Sequence, residues 1–160
     1  MIRNCVINRF KALFLDRRGG PAVAGRRHGA DELQTAAAAL LVEAAQMDGD
    51  FDAAERARVL ELVTERFALN RAESESLLAA AEDRVAHASQ LHGFTRVVNK
   101  AFDHAARIEL MEMLWEIIYT DGDLHDHEAS LMRRLTGLLH ISDRESAAAR
   151  TRALARLGKE

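Results

Sequence analysis

From residue 31 onward, apolar residues recur every three or four positions, the spacing of one face of an α-helix. Ala37, Leu40, Leu41 and Ala44 share a face in 31–47. A second stretch, starting at Asp52, carries Val59, Leu60, Val63 and Phe67. A third starts at Asn70, where Asn-Arg-Ala-Glu73 has the spacing of a capping box. A shorter helix is predicted over 91–102. A strongly apolar one follows over 103–120, with Leu110, Met111, Leu114, Ile117 and Ile118. Two more run over 126–139 and from Asp143 towards Leu157. Strict apolar–polar alternation is missing, so no strands are expected. The predicted fold is all-α: a compact bundle of about seven helices whose short connections set neighbours roughly antiparallel.

The same pattern repeats within the chain. At an offset of 73 residues, Glu43, Asp48, Gly49, Asp50 and Glu55 fall on Glu116, Asp121, Gly122, Asp123 and Glu128. Leu62 falls on Leu135, Asn70 on Asp143 and Arg71 on Arg144. The bundle is therefore read as two pseudo-symmetric helix–acidic turn–helix repeats. Two copies make a globule rather than a solenoid.

The repeated turn admits two readings. In the structural one, Gly49 and Gly122 end their helices in left-handed conformation, and Asp52 with Glu55 caps the next helix at its positive end. His125 replaces Asp52 in the second copy and is a poorer cap, while Glu128 keeps its place. In the chemical one, Asp48, Asp50 and Glu55, and equally Asp121, Asp123 and Glu128, are ligands of a divalent cation. Clustered carboxylate oxygens suit Ca²⁺ better than Zn²⁺ or Mn²⁺. His125 and His127 would shift the second copy towards a transition metal. Neither turn is an EF-hand: the twelfth position, where a bidentate acid belongs, is Val59 in one and Met132 in the other. Glu43 and Glu116 close the preceding helices and read first as solvated or ion-paired residues, second as further ligands.

Charge divides the chain. Residues 1–30 hold seven Lys/Arg and one Asp, a net +6; the rest holds 15 basic and 24 acidic residues, a net −9. An acidic body argues against nucleic-acid binding. Residues 1–16 form a basic amphipathic segment with Ile2, Val6, Phe10, Leu13 and Phe14 on one stripe. They are read either as a short helix that docks on an anionic membrane surface, on this chain's own body or on a partner protein, or as a disordered arm. Four of nine glycines fall within 17–30, read as a Gly/Arg-rich linker before a helical domain over 31–157. No run is long enough to span a bilayer, and the N-terminus does not read as a cleaved signal. The single cysteine, Cys5, allows no internal disulfide and suits a reducing cytoplasm. No phosphate loop, GxSxG or HExxH is present, and Cys5 has no evident base, so no enzyme is expected. Trp115 and Tyr119, four apart on an apolar helix, read as core.

The two Asp-Gly turns follow helices that read Leu40-Leu41-Val42-Glu43-Ala44-Ala45 and Met113-Leu114-Trp115-Glu116-Ile117-Ile118. With them, the chain resembles the TerB family of tellurite-resistance-associated proteins over 31–152. It is most similar to a small stand-alone bacterial branch with a Gly-rich linker and an internal Gly-Phe-Thr segment, here Gly93-Phe94-Thr95. The domain also resembles the N-terminal cytoplasmic part of DjlA-like membrane-anchored co-chaperones. The resemblance implies an all-α bundle, a cytoplasmic location that includes the periphery of the inner membrane, and a non-enzymatic, stress-associated role. It implies metal binding at Asp48, Glu55, Asp121 and Glu128, and less directly at Asp50 and Asp123.

Overall fold

The computed structural model describes the backbone of residues 24–48, 51–87, 91–120 and 124–159, and the side chains within them apart from 24–33 and 48. Seven α-helices occur among these residues, with no strand: α1 (Ala24–Ala45), α2 (Ala53–Arg66), α3 (Arg71–His87), α4 (Leu91–Ala101), α5 (His104–Thr120), α6 (Asp126–Leu138) and α7 (Asp143–Arg156). A 3-10 turn, Gln46–Asp48, ends α1. The domain is an all-helical bundle, as the periodicity predicts. The expected amphipathic segment 1–16 and linker residues 17–23 lie outside the described residues.

Helix boundaries follow the local chemistry. The Asp52 carboxylate accepts from Glu55 N–H at 2.8 Å and Glu55 returns the bond to Asp52 N–H at 3.3 Å. Asn70 with Glu73 and Ser142 with Glu145 make the same reciprocal pair at the starts of α3 and α7. Asp103 caps α5 through Ala106 N–H at 2.9 Å. Each satisfies amides that have no partner within the helix. The start of α1 departs from expectation. Residues 24–30, read as linker, are helical backbone through Gly25 and Gly29. Extending an established helix needs no new nucleus, so two glycines at about 1 kcal/mol each do not stop it.

Two helices form the centre. Residues 36–42 of α1 and 109–119 of α5 are buried on every side, which marks interior helices rather than surface ones. Leu40, Leu41, Leu110 and Leu114 are fully buried and contribute on the order of 1.5–3 kcal/mol each. α1 packs most extensively on α3, and α5 on α7; α4 and α5 also lie against α1. The run of alanines at 36–39 lets these neighbours approach α1 closely.

The repeat is real in three dimensions, with a corrected register. At the turns the offset of 73 holds, placing Glu55 opposite Glu128 at the third position of α2 and α6. α6 is 13 residues long and α2 is 14. Beyond them the offset becomes 72. Thr64 bonds Ser74 as Thr136 bonds Ser146, at 2.8 and 3.2 Å. Ala68 and His140 share positive φ, and the helix caps Asn70 and Ser142 correspond. The expected matches of Asn70 with Asp143, Arg71 with Arg144 and Leu62 with Leu135 are thus one residue out. Leu135, fully buried, takes the place of the equally buried Val63.

Candidate functional site

α1 and α5 deliver their C-terminal ends, with Ala44, Ala45, Ile117 and Thr120, to one end of the bundle. Beyond the first turn Phe51 packs on the core, and beyond the second its counterpart Leu124 does so. These anchors bring the first turns of α2 and α6 together. Glu55 and Glu128 line a single narrow cleft of ≈ 10 Å³, with Ala44, Ala45, Arg58, Ile117 and Thr120. Matching residues of both repeats thus line one space.

The two glutamates are not alike. Glu55 is half-buried and held by the Asp52 cap. Glu128 is 4% exposed, and its Oε2 accepts from His125 N–H at 2.9 Å. His125 and His127 point to solvent. Of the six residues expected as ligands, Glu55 and Glu128 are brought to one place. The side chains of Asp48, Asp50, Asp121 and Asp123 lie outside the described residues, as do Gly49 and Gly122. Among the described residues no three His, Cys, Asp or Glu side chains converge at metal-binding distance. Glu55 and Glu128 bring two carboxylates to the cleft lining, while Arg58 brings a positive charge to the same space.

Glu43 and Glu116 match in sequence but not in surroundings. Glu43 is half-buried on α1, and burial raises its pKa. Glu116 belongs to an ionic network that the sequence reading did not find. Arg66, at the end of α2, sends Nη1 to Glu109 at 3.2 Å and Nη2 to Glu116 at 2.7 Å and Glu112 at 3.8 Å. From α7, Arg152 meets Glu112 at 2.9 Å, and Arg156 meets Glu112 at 3.1 Å and Glu116 at 3.6 Å. The signal was available: Glu109, Glu112 and Glu116 lie on one face of an otherwise apolar helix. Burial raises Glu116 and pushes Glu109 up to about 7, against the pull of Arg66.

Beside this network lies an open groove of ≈ 630 Å³ between α2, α5 and α7, lined among others by Glu61, Leu62, Glu65, Glu116, Ile117 and Arg156. Trp115 and Tyr119 are core, 7% and 6% exposed, with ring centroids 5.8 Å apart. Arg150 covers both rings at 5.8 and 5.4 Å. No helix among the described residues is long and apolar enough to cross a membrane.

Comparison with known proteins places this arrangement. A family model described as "Tellurite resistance protein TerB" matches residues 34–151, which include both turns, the cleft and the Arg66, Glu109, Glu112 and Glu116 part of the ionic network. No curated protein and no solved structure matches the chain.

Proposed function

The chain belongs to the TerB family, and from that membership we propose a non-catalytic, stress-associated binding module that takes up a divalent cation at its paired acidic turns, Ca²⁺ before Zn²⁺ or Mn²⁺. One observation carries the reading: Glu55 and Glu128, from matching positions of the two repeats, line the same cleft. Two turns that supply carboxylates to one space offer a hard cation more oxygen ligands than either turn alone. The ligands are Glu55 and Glu128 with Asp48, Asp50, Asp121 and Asp123 from the turns themselves. The site is then joint, one per chain, rather than two independent loops.

The test is thermal unfolding of metal-stripped protein, first in EDTA and then with millimolar Ca²⁺, Mg²⁺, Mn²⁺ or Zn²⁺. A ligand that prefers the folded state raises Tm. The reading expects a selective rise that Asp48→Ala with Asp121→Ala abolishes. A double variant that responds as the parent does removes these residues as ligands.

A second reading is a metal-free, co-chaperone-like adaptor tethered to a protein partner or an anionic membrane by residues 1–16. The groove between α2, α5 and α7 favours it, because it joins apolar Leu62 and Ile117 to charged Glu61, Glu65 and Arg156. Deleting residues 1–23 is then expected to abolish association with anionic liposomes or with the partner while the bundle stays folded. Undiminished association of the truncated chain would rule out the arm as tether.

A further inference from the structure

The charges between α2, α5 and α7 are unevenly matched. Glu112 and Glu116 each have a second cation from α7, half-exposed Arg152 or Arg156. Glu109 has Arg66 alone among the described residues, at 3.2 Å, and both side chains are 3% exposed. Glu109 Oε2 and Arg66 Nε are buried without a hydrogen-bond partner. Such a pair is poised: the attraction is strong in a low-dielectric setting, and so is the cost of keeping a carboxylate there.

Among the described residues nothing else packed around Glu109 offsets its charge. α1 turns apolar residues 36–42 inward. The inward faces of α3 and α4 carry apolar and hydroxyl side chains. On α2 the neighbouring charge is Glu65, which acts on Glu116. On α5 itself Glu112 and Glu116 repel Glu109. Arg107 and His104 turn elsewhere, to Leu139 O and to Glu145 on α7. From α6, Glu128 sits at the turn end of α5, beside Ile117 and Thr120.

We propose that Arg66 and Glu109 form a proton-controlled latch between the two repeats. With Glu109 ionised, Arg66 bridges Glu109 and Glu116 and ties the end of α2 to two turns of α5. When Glu109 takes up a proton from solvent, Arg66 transfers to Glu116 and Glu112 and the α2–α5 seam re-seats. Because burial lifts Glu109 to about 7, the change falls in the neutral range, where ordinary carboxylates do not titrate. Glu116 and Arg156 also line the groove, so the state of the latch reaches a surface.

The experiment is an NMR titration of the full chain, labelled at Glu carboxyl carbons and Arg Nε, from about pH 5 to about pH 9. The Glu109 carboxyl is expected to titrate near 7, and the Arg66 Nε–H signal to shift with the same midpoint. In Glu109→Gln that Arg66 shift should vanish. Glu109 titrating together with exposed glutamates, or an Arg66 signal that ignores pH, overturns the proposal. The wild-type titration decides the matter even if the Gln variant does not fold.

Discussion

Ala68 and His140 hold the same left-handed backbone, φ 52° and 54°, in the turns that follow α2 and α6. Neither residue suits it, since a Cβ there crowds the following carbonyl and costs roughly 1–2 kcal/mol. That both repeats keep the conformation with unrelated side chains shows that the turn is set by what it joins. On either side lie the hydroxyl pair Thr64–Ser74 or Thr136–Ser146, part-buried in the first repeat and buried in the second, and the capped start of the next helix.

Glycine at these positions removes the strain but loses more chain entropy on folding, by about 0.5–1 kcal/mol. Ala68→Gly and His140→Gly are therefore each expected to stabilise by up to about 1 kcal/mol. A rise in Tm of a few degrees for each variant, roughly additive in the double, checks it. Loss of stability in both would mean that the turn is not strained.

Arg66 is the single link whose removal should hurt most. Arg66→Ala leaves Glu109 buried with no partner among the described residues and takes the inner cation from Glu116. Breaking a buried pair from one side costs on the order of 3–5 kcal/mol. Urea unfolding should show that loss with an unchanged slope. Arg152→Ala is expected to cost under about 1 kcal/mol, because Arg152 is 49% exposed and Glu112 keeps Arg156.

The pH profile follows from the directions of two shifts. Glu109 is raised from 4.5 to about 7, so the folded chain binds its proton more tightly than the unfolded one. Its contribution is full below 4.5 and is lost as pH rises through about 7. Glu145 is lowered to about 2, chiefly by its hydrogen bond with His104, so its contribution is present above 4.5 and lost as pH falls through about 2. Tm is expected to decline from pH 5 to pH 7 in the wild type, and to change less in Glu109→Gln. Equal slopes in the two proteins would remove Glu109 as the cause.

The fold was legible because most helix starts carry a local signal. Asp52, Asn70, Asp103 and Ser142 cap within three residues of themselves, and the apolar spacing of α2, α5 and α6 needs no distant information. Where tertiary packing decides, sequence misleads. Gly25 and Gly29 read as breakers yet lie in the helix that begins at Ala24. Leu62 and Leu135 align by identity, but burial pairs Leu135 with Val63. Glu109 and Arg66 lie 43 positions apart, and no local pattern says that they meet. The cleft was half legible: the matching of Glu55 with Glu128 could be read, whereas their meeting in one space depends on how α1 and α5 cross.

Arg58 separates the cation reading of the cleft from the capping one. It stands three residues after Glu55, and the same step from Glu128 leads to Leu131, so one repeat supplies a cation that the other lacks. It is the basic residue lining the cleft among the described residues. If the cleft takes up a divalent ion, Arg58 competes for the same carboxylates. Arg58→Gln should then tighten binding. A partly exposed charge interaction of about 1 kcal/mol corresponds to roughly fivefold in Kd. If the glutamates only cap helices, Arg58 offsets their mutual repulsion, and Arg58→Gln should lower Tm in EDTA with no recovery on adding Ca²⁺. Calorimetric titration of Ca²⁺ into wild type, Arg58→Gln and Asp48→Ala/Asp121→Ala discriminates. Tighter, unchanged and abolished binding would each point differently, and only the order Arg58→Gln above wild type above the double variant supports an ion held between Glu55 and Glu128.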